Sequence, residues 1–194
     1  LKIKNINPNV YYKNNTLLYY GCKFNEIEIV KILLELDSID VNSYSKKNNN
    51  TPLLIALLNK NIEIVELLIQ DKRTNINSKN DDNETALIIA TKLDLENIVS
   101  LLIKDERFNP DESCLNYAFL ISSDITISNL LLSTNLIDIN YKNLSLCKHL
   151  LSYECNGILY ETPLIKAVDS NDIEKVNLIV NHPSFDKIKS QLKS

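Results

Sequence analysis

The chain has 194 residues, with 21 Lys and Arg against 25 Asp and Glu, and a formal net charge of -4. This mild acidity argues against a general binder of nucleic acids or anionic membranes, since such a protein needs a basic field. No apolar run reaches the roughly 20 residues that a membrane span needs, so no membrane insertion is expected.

The first residues of the chain match a segment that recurs further on. The stretch KNINPNVYYKNN before Thr16 aligns with IDVNSYSKKNNN before Thr51 at an offset of 35, which places Asn7 where Asn42 falls. A period in the thirties is typical of a solenoid of helical repeats. We therefore expect residues 1–15 to be the tail of a preceding repeat, and the chain to be a piece of a longer array.

Five copies of one unit are predicted after this tail. Three strong copies open at Thr16, Thr51 and Thr85, and two weaker ones open at Ser113 and Thr162. All belong to a single predicted domain over 1–194. Its parts are repeats at 16–50, 51–84, 85–112 and 113–140, an insertion at 141–161, and a fifth repeat with a polar tail at 162–194.

Each copy contains two short apolar segments (apolar bursts), such as TPLLIA and EIVELLI. Their composition and spacing predict two short helices. The opening Thr can cap the first helix through its hydroxyl, and Pro52 suits the first helical position, where no N–H is needed. The residue five positions after each opener is small, which predicts close approach of two backbones there. These small residues are Gly21, Ala56, Ala90, Ala118 and Ala167. The unit is therefore helix, tight turn, helix and extended loop.

These elements resemble the ankyrin repeat. The residues that make the resemblance are Thr51-Pro52-Leu53 with Ala56, Glu63-Ile64-Val65 with Leu67-Leu68, and Ile76-Asn77, together with their counterparts in the other copies. The resemblance covers nearly the whole chain. It implies an all-α fold, an ankyrin-repeat solenoid of stacked helix–turn–helix units joined by extended loops or short hairpins.

Two positions depart from the family pattern. Where the family has a His after Thr-Pro-Leu, which helps a hydrogen-bond network between repeats, this chain has Tyr19, Leu54, Ile88, Asn116 and Ile165. Where the family has Gly between the helices, it has Asn25, Lys60, Asp94 and Asn171. A residue other than Gly costs stability where the backbone is left-handed. We therefore expect these repeats to be less stable than consensus repeats.

The residues that could support chemistry are few. The four cysteines are irregularly spaced in a chain that is not small, which predicts reduced thiols and an intracellular, cytoplasmic location, with the nucleus as an alternative. Cys147, His149 and Cys155 lie near one another but supply three ligands, whereas a metal site needs about four. Cys114 falls on the apolar face of a first helix and is expected in the core. No catalysis, metal or cofactor is predicted.

The resemblance also implies a binding surface. Ankyrin arrays usually bind partner proteins along a concave face formed by the first helices and the loop tips. The positions of this chain that match it are Tyr12, Lys13, Phe24, Lys47, Asn50, Leu58, Asn59, Asp82, Glu84, Lys92, Leu93 and Leu120. Phe24, Leu58, Leu93 and Leu120 are expected to form an apolar line, as in a protein interface. Tyr44, Tyr12 and Phe24 are the expected hot spots.

The tip of each loop, which we define as the few residues just before an opening Thr, is a second feature of this surface. The charge of the predicted tips changes sign along the chain. Lys13, Lys46 and Lys47 make the first two tips basic, whereas Asp81 and Asp82 make the third acidic. A partner with the opposite order of charges could be held in register in this way, although charged tips are also common on any solvated surface.

The expected function is that of a non-catalytic protein–protein interaction module. Its partner would be another protein, with no nucleic acid involved, and the module would belong to a larger multi-repeat or multidomain chain. Two alternatives stay open: a structural spacer or scaffold, and the targeting arm of a larger enzyme or channel. A fold of this kind serves many roles, so the sequence names no partner.

Overall fold

The computed structural model describes residues 7–139, 162–183 and 185. These residues form ten helices, and the only strand-like pairing among them is an isolated bridge between Tyr12 and Asn15. The all-α class is therefore confirmed. The chain divides into two compact units, Leu1–Pro110 and Asp111–Ser194, which are described in turn.

The first unit contains three pairs of helices. Their bounds are α1 Leu17–Phe24, α2 Ile27–Leu34, α3 Pro52–Leu58, α4 Ile62–Gln70, α5 Ala86–Lys92 and α6 Glu96–Lys104. Within each pair the two helices pack together, and α3 packs against both α1 and α5 while α2 packs against α4. Both apolar bursts of each copy thus form helices, as predicted. The largest fully buried side chains of this core include Leu18, Leu53, Leu57, Ile64, Leu68, Ile89 and Ile98.

The first helices begin at the predicted Thr residues. The hydroxyls of Thr16, Thr51 and Thr85 each accept a hydrogen bond from the backbone N–H three residues later, at 3.3 Å, and Pro52 occupies the first turn of α3. Each hydroxyl satisfies one of the N–H groups that a helix start leaves without a partner. The predicted caps are therefore confirmed for the first three pairs.

The turns within the pairs use residues other than glycine in the left-handed conformation. Asn25, Lys60 and Asp94 have φ angles of 61°, 58° and 52°. In the second pair, the N–H of Asn61 donates to the carbonyl of Ala56 at 2.9 Å across the left-handed Lys60, and the equivalent bond recurs in each pair of this unit. This is the Schellman pattern, which satisfies the carbonyls at a helix end.

The small residue before each turn lies where two helices meet. A Cβ added to Gly21 would lie 3.0 Å from the side-chain Cγ2 of Val30 in α2, so this position has little room for a larger residue. Ala56 and Ala90 are fully buried.

The outer loops of the first unit are joined by repeated asparagine contacts. Asn42 donates from Nδ2 to the carbonyl of Arg73 at 2.8 Å and accepts at Oδ1 from the N–H of Asn75 at 2.7 Å. Asn77 makes the same pair of bonds to the next loop, and Asn9 makes it to the loop before. Asn9, not Asn7, is therefore the equivalent of Asn42, and the predicted alignment is wrong by two residues. The segment from Asn9 to Thr16 is two residues shorter than the segment from Asn42 to Thr51.

The second unit contains two described pairs: α7 Glu112–Ile121 with α8 Ile125–Leu132, and α9 Pro163–Asp169 with α10 Ile173–Val180. Helix α9 packs on α7, and α10 on α8. Thr162 caps α9, as predicted for an opening Thr. Pro163 occupies the first turn of α9, and Asn171, where the family has Gly, is left-handed. The helix start predicted at Ser113 is wrong: Asp111 is the N-cap of α7 and accepts from the N–H of Cys114 at 2.7 Å. The predicted insertion at 141–161 lies outside the described residues.

The turn between α7 and α8 is closed by a buried lysine instead of a left-handed residue. Lys175 of α10 donates from Nζ to the carbonyl of Phe119 at 2.8 Å, to the carbonyl of Ser122, and to the hydroxyl of Ser122 at 2.9 Å. Ser122 also shares a 2.7 Å hydrogen bond with Ser128 of α8. A side chain from the following pair therefore satisfies the carbonyls at the end of α7.

Candidate protein-binding surface

The first tip and α1 expose a group of stacked aromatic side chains. The ring centroids of Tyr20 and Phe24 lie 6.0 Å apart with nearly parallel planes, and those of Tyr12 and Tyr20 lie 6.4 Å apart with the planes tilted by 53°. Tyr12 is 64% exposed and Phe24 is 62% exposed, while Tyr20 between them is half-buried. We call these three residues the aromatic stack. Exposed rings held next to one another present an apolar contact area that needs little further ordering on binding.

Hydrogen bonds hold the stack in place. The hydroxyl of Tyr20 donates to the carbonyl of Tyr12 at 3.2 Å, and the amide of Asn15 donates to the Tyr20 hydroxyl at 3.4 Å. Tyr12 and Asn15 also exchange two backbone hydrogen bonds, which close the tip. Sequence reasoning named Tyr12 and Phe24 but missed Tyr20. The spacing of Tyr20 and Phe24, four residues apart on a helix, was the available indication of the stack.

Lysine side chains lie beside the exposed rings. Nζ of Lys13 is 5.2 Å from the ring centroid of Tyr12, and Nζ of Lys23 is 5.5 Å from that of Phe24. In the second tip, Nζ of Lys46 lies 4.4 Å from the ring centroid of Tyr11. These distances are within the range of cation–π attraction. Positive charge and apolar area therefore lie together on this surface.

The tips of the first unit contact one another through their backbones. The N–H of Lys46 donates to the carbonyl of Asn14 at 3.0 Å, and the N–H of Asp81 donates to the carbonyl of Asn48 at 3.1 Å. The three tips therefore lie side by side. The change from basic to acidic residues along the sequence is also a change along this row.

Most residues predicted for the binding surface are accessible. Tyr12, Lys13, Phe24, Lys47, Leu58, Asn59, Asp82 and Lys92 are exposed, and Glu84 and Leu93 are half-buried. Glu84 accepts an ion-paired hydrogen bond from Lys92 at 2.6 Å. Tyr44, an expected hot spot, is also exposed, and its carbonyl accepts from the hydroxyl of Tyr11 at 3.1 Å. Exposure allows these residues to contact a partner but does not show that they do. Their role in binding stays a prediction.

Two of the predicted surface residues are buried. Leu120 has no exposed surface: it lies in the last turn of α7, next to Lys166 and Ala167 of α9, the helix that packs on α7. Asn50 is 4% exposed and accepts a hydrogen bond from the amide of Asn80 at 3.0 Å. The expected apolar line to Leu120 is therefore wrong, and Asn50 joins two tips instead of facing a partner.

Both described cysteines are buried. Burial raises the pKa of the Cys22 thiol to about 12, which disfavours the reactive thiolate, and Cys114 is buried as predicted. In the described part of the chain, no group of three or more His, Cys, Asp or Glu could hold a metal ion. Cys147, His149 and Cys155 lie outside it. None of the described helices has the length and apolar character needed to cross a membrane.

Paired helices that stack through first-helix contacts, with aligned tips and asparagine-linked outer loops, define a helical repeat protein. A family model described as ankyrin repeats (3 copies) matches residues 1–80. The chain belongs to the ankyrin-repeat family. Such repeats are generally modules of protein–protein interaction.

The chain is similar to short segments of three longer proteins. It is 30% identical over 158 residues to an alpha-latrotoxin of Latrodectus geometricus, covering 77% of this chain and 11% of the toxin. It is 37% identical over 76 residues to an alpha-latrocrustotoxin of Latrodectus tredecimguttatus, covering 39% of this chain and 5% of that protein. It is 29% identical over 115 residues to a putative ankyrin repeat protein of Acanthamoeba polyphaga mimivirus, covering 55% of this chain and 15% of the relative. The chain thus spans a small part of each.

Proposed function

We propose that this chain is a non-catalytic protein-binding module whose contact surface is formed by the first helices and tips of the first unit. The observation that carries the proposal is the aromatic stack. Tyr12 and Phe24 are large, exposed and held in place by neighbours, which is the character of interface hot spots. Leu58, also exposed at the end of α3, extends the apolar area to the second pair.

The module would act as one part of a larger protein. The small share of each relative that the chain covers supports this part of the proposal. The names of two relatives describe them as toxins, and membership of a toxin-like chain is one form that the larger protein could take. That the module binds a partner protein, and that the whole protein has an activity of its own, are both parts of this proposal.

Site-specific photocrosslinking tests the surface directly. A photoreactive phenylalanine analogue would replace Phe24 in one version of the chain and Ile32 of α2 in another. Both native residues are 62% exposed, so the two probes are matched in accessibility and differ only in the surface they report. Each version would be irradiated in an extract of the cells that make the protein, and the products would be identified by mass spectrometry.

The expected result is a protein adduct formed through position 24, absent through position 32, and suppressed by an excess of the unlabelled chain. Suppression should fail when the competitor is the Tyr12→Ala, Phe24→Ala variant. Equal labelling from both positions would reject the surface and would favour a spacer, whose function does not depend on these side chains.

A further inference from the structure

Charge is divided unevenly between the two sides of the helix pairs in the first unit. Residues 10–25 and 43–61 include the first two tips with α1 and α3, and they contain no Asp or Glu. They contain five exposed lysines, which we call the basic surface: Lys13, Lys23, Lys46, Lys47 and Lys60. Residues 26–42, with α2 and its outer loop, contain five acidic residues and one lysine. A chain with a net charge of -4 thus carries a locally positive surface.

The basic surface and the aromatic stack coincide. Lys13 and Lys23 each lie within 5.5 Å of the ring centroid of an exposed aromatic residue. A ligand side chain packed on Tyr12 or Phe24 therefore has an ammonium group close to its own backbone. A carboxylate next to the packed side chain can pair with that ammonium group, whereas a lysine or arginine there would be repelled.

The third tip limits the length of this surface. Asp81 and Asp82 are exposed there, and the N–H of Asp81 contacts the second tip through the carbonyl of Asn48 at 3.1 Å. A ligand with negative charge along its whole length would be repelled at this end. A ligand with a local acidic cluster would not.

From this geometry we infer that the partner of the first unit presents a short acidic segment with an aromatic or aliphatic anchor, seated with its anchor on the aromatic stack and its carboxylates on the basic surface. The inference rests on the proposed function and adds the chemistry of the partner. A nucleic acid is the less suitable occupant, because its uniform negative charge meets Asp81 and Asp82, and because Tyr20 and Phe24 already stack on each other.

Selection from a random peptide display library tests the inference without a known partner. The 194-residue chain is the bait, and peptides that also bind the Tyr12→Ala, Phe24→Ala variant are removed. Retained peptides are synthesised, and their dissociation constants are measured by fluorescence anisotropy at low and moderate salt. Two charge-reversed variants are compared: Lys13→Glu with Lys23→Glu, and, as the control, Lys72→Glu with Lys104→Glu. Each variant replaces two exposed lysines with glutamate, so the two variants change the net charge by the same amount. Circular dichroism confirms that each variant is folded.

The retained peptides should combine Asp or Glu with an apolar anchor, and should bind more weakly as salt increases. Reversal of Lys13 and Lys23 should weaken binding by about tenfold or more, as for loss of a hot spot, while the control reversal should change it by less than about threefold. Retained peptides without acidic enrichment would overturn the inference and leave the proposed surface standing. Failure to retain any peptide that depends on Tyr12 and Phe24 would overturn both. Equal displacement of the peptides by oligothymidine would assign the surface to polyanions in general and would overturn the inference.

Discussion

Arg107 donates a hydrogen bond from Nη2 to the carbonyl oxygen of Ile69, at 2.5 Å, in the last turn of α4. Its Nη1 donates to the carbonyls of Asp71 and Thr74, and Asp105 orients the guanidinium through bonds of 2.8 and 2.6 Å. One side chain from the loop after the third pair therefore donates to three carbonyls in the last turn of α4 and in the loop that follows it. Cations are favourable at this end of a helix because they oppose its dipole.

Removal of this guanidinium should destabilise the first unit. Arg107→Ala removes the donor from the Ile69 and Thr74 carbonyls, while the Asp71 carbonyl keeps the N–H of Thr74 at 3.0 Å. The variant is expected to lower the free energy of unfolding by about 2–3 kcal/mol. Arg107→Lys should recover little, because an ammonium group cannot reproduce the planar fork. Urea denaturation followed by circular dichroism measures both changes. Arg73 provides the matched comparison: it donates to the carbonyls of Leu34 and Leu36 but is more exposed, so Arg73→Ala should cost less. Wild-type stability in Arg107→Lys would contradict the argument.

The Asp105 carboxylate makes the same contact sensitive to acid. The hydrogen bonds and charge of Arg107 hold the pKa of Asp105 well below its usual value, against the opposing effect of burial. In the unfolded chain this carboxyl titrates at about 3.9. Its stabilising contribution is therefore complete above that pH and is lost as the pH falls towards the folded-state value.

Asp105→Asn should consequently be less stable than the wild type near neutral pH, with a difference that shrinks below about pH 4. Denaturation at a series of pH values measures the two curves. Asp71, whose pKa Arg73 lowers in the same way, gives a second test through Asp71→Asn. Parallel curves down to the acid limit would show that the Asp105–Arg107 pair does not contribute through charge.

Local features of this fold could be predicted from the sequence, whereas contacts between distant segments could not. The Thr51 cap and the left-handed Lys60 depend on residues a few positions away, so the repeat pattern located them. The bond from Arg107 to Ile69 joins segments 38 residues apart and has no local pattern. Ser113 was mistaken for a helix start because Asp111, two residues earlier, supplies the cap. Leu120 was expected on the exposed surface, and its burial depends on the packing of α9 on α7, which is again a contact between distant segments.

The left-handed turns leave room for stabilisation. Lys60 has a φ of 58°, a conformation that costs an L-residue with an ordinary side chain about 1–2 kcal/mol and costs glycine little. Lys60→Gly should raise the free energy of unfolding by about 0.5–1 kcal/mol once the greater freedom of glycine in the unfolded chain is counted. Lys60→Ala is the control, since it removes the same charge but keeps the Cβ. Asn25→Gly should gain less, because asparagine tolerates this conformation. Thermal unfolding measures all three, and an equal gain from Lys60→Ala would assign the effect to charge.

The buried Lys175 predicts a change of stability at alkaline pH. Burial lowers the pKa of Lys175 to about 8, and repulsion from Lys166 adds to the effect while Asp172 opposes it. On α7 and α8, Nζ of Lys175 contacts Phe119 and Ser122, and Ser122 in turn contacts Ser128. None of these three residues titrates. In the unfolded chain the lysine keeps its proton up to about pH 10.4. Between these values the unfolded state binds more protons than the folded state, so stability attributable to Lys175 rises with pH.

The measurement is the difference in unfolding free energy between the wild type and Lys175→Met from pH 7 to pH 10. At neutral pH the variant loses the donor for the Phe119 and Ser122 carbonyls, and it also loses the cost of a buried charge. These terms oppose each other, so the pH dependence is the sharper test. The difference should move in favour of the wild type above about pH 8, by up to about 1.4 kcal/mol per pH unit. In a Lys166→Met background the onset should shift to higher pH, because a repelling charge is gone. A difference that stays constant over this range would mean that the oxygen acceptors around Nζ keep the lysine protonated in the folded chain.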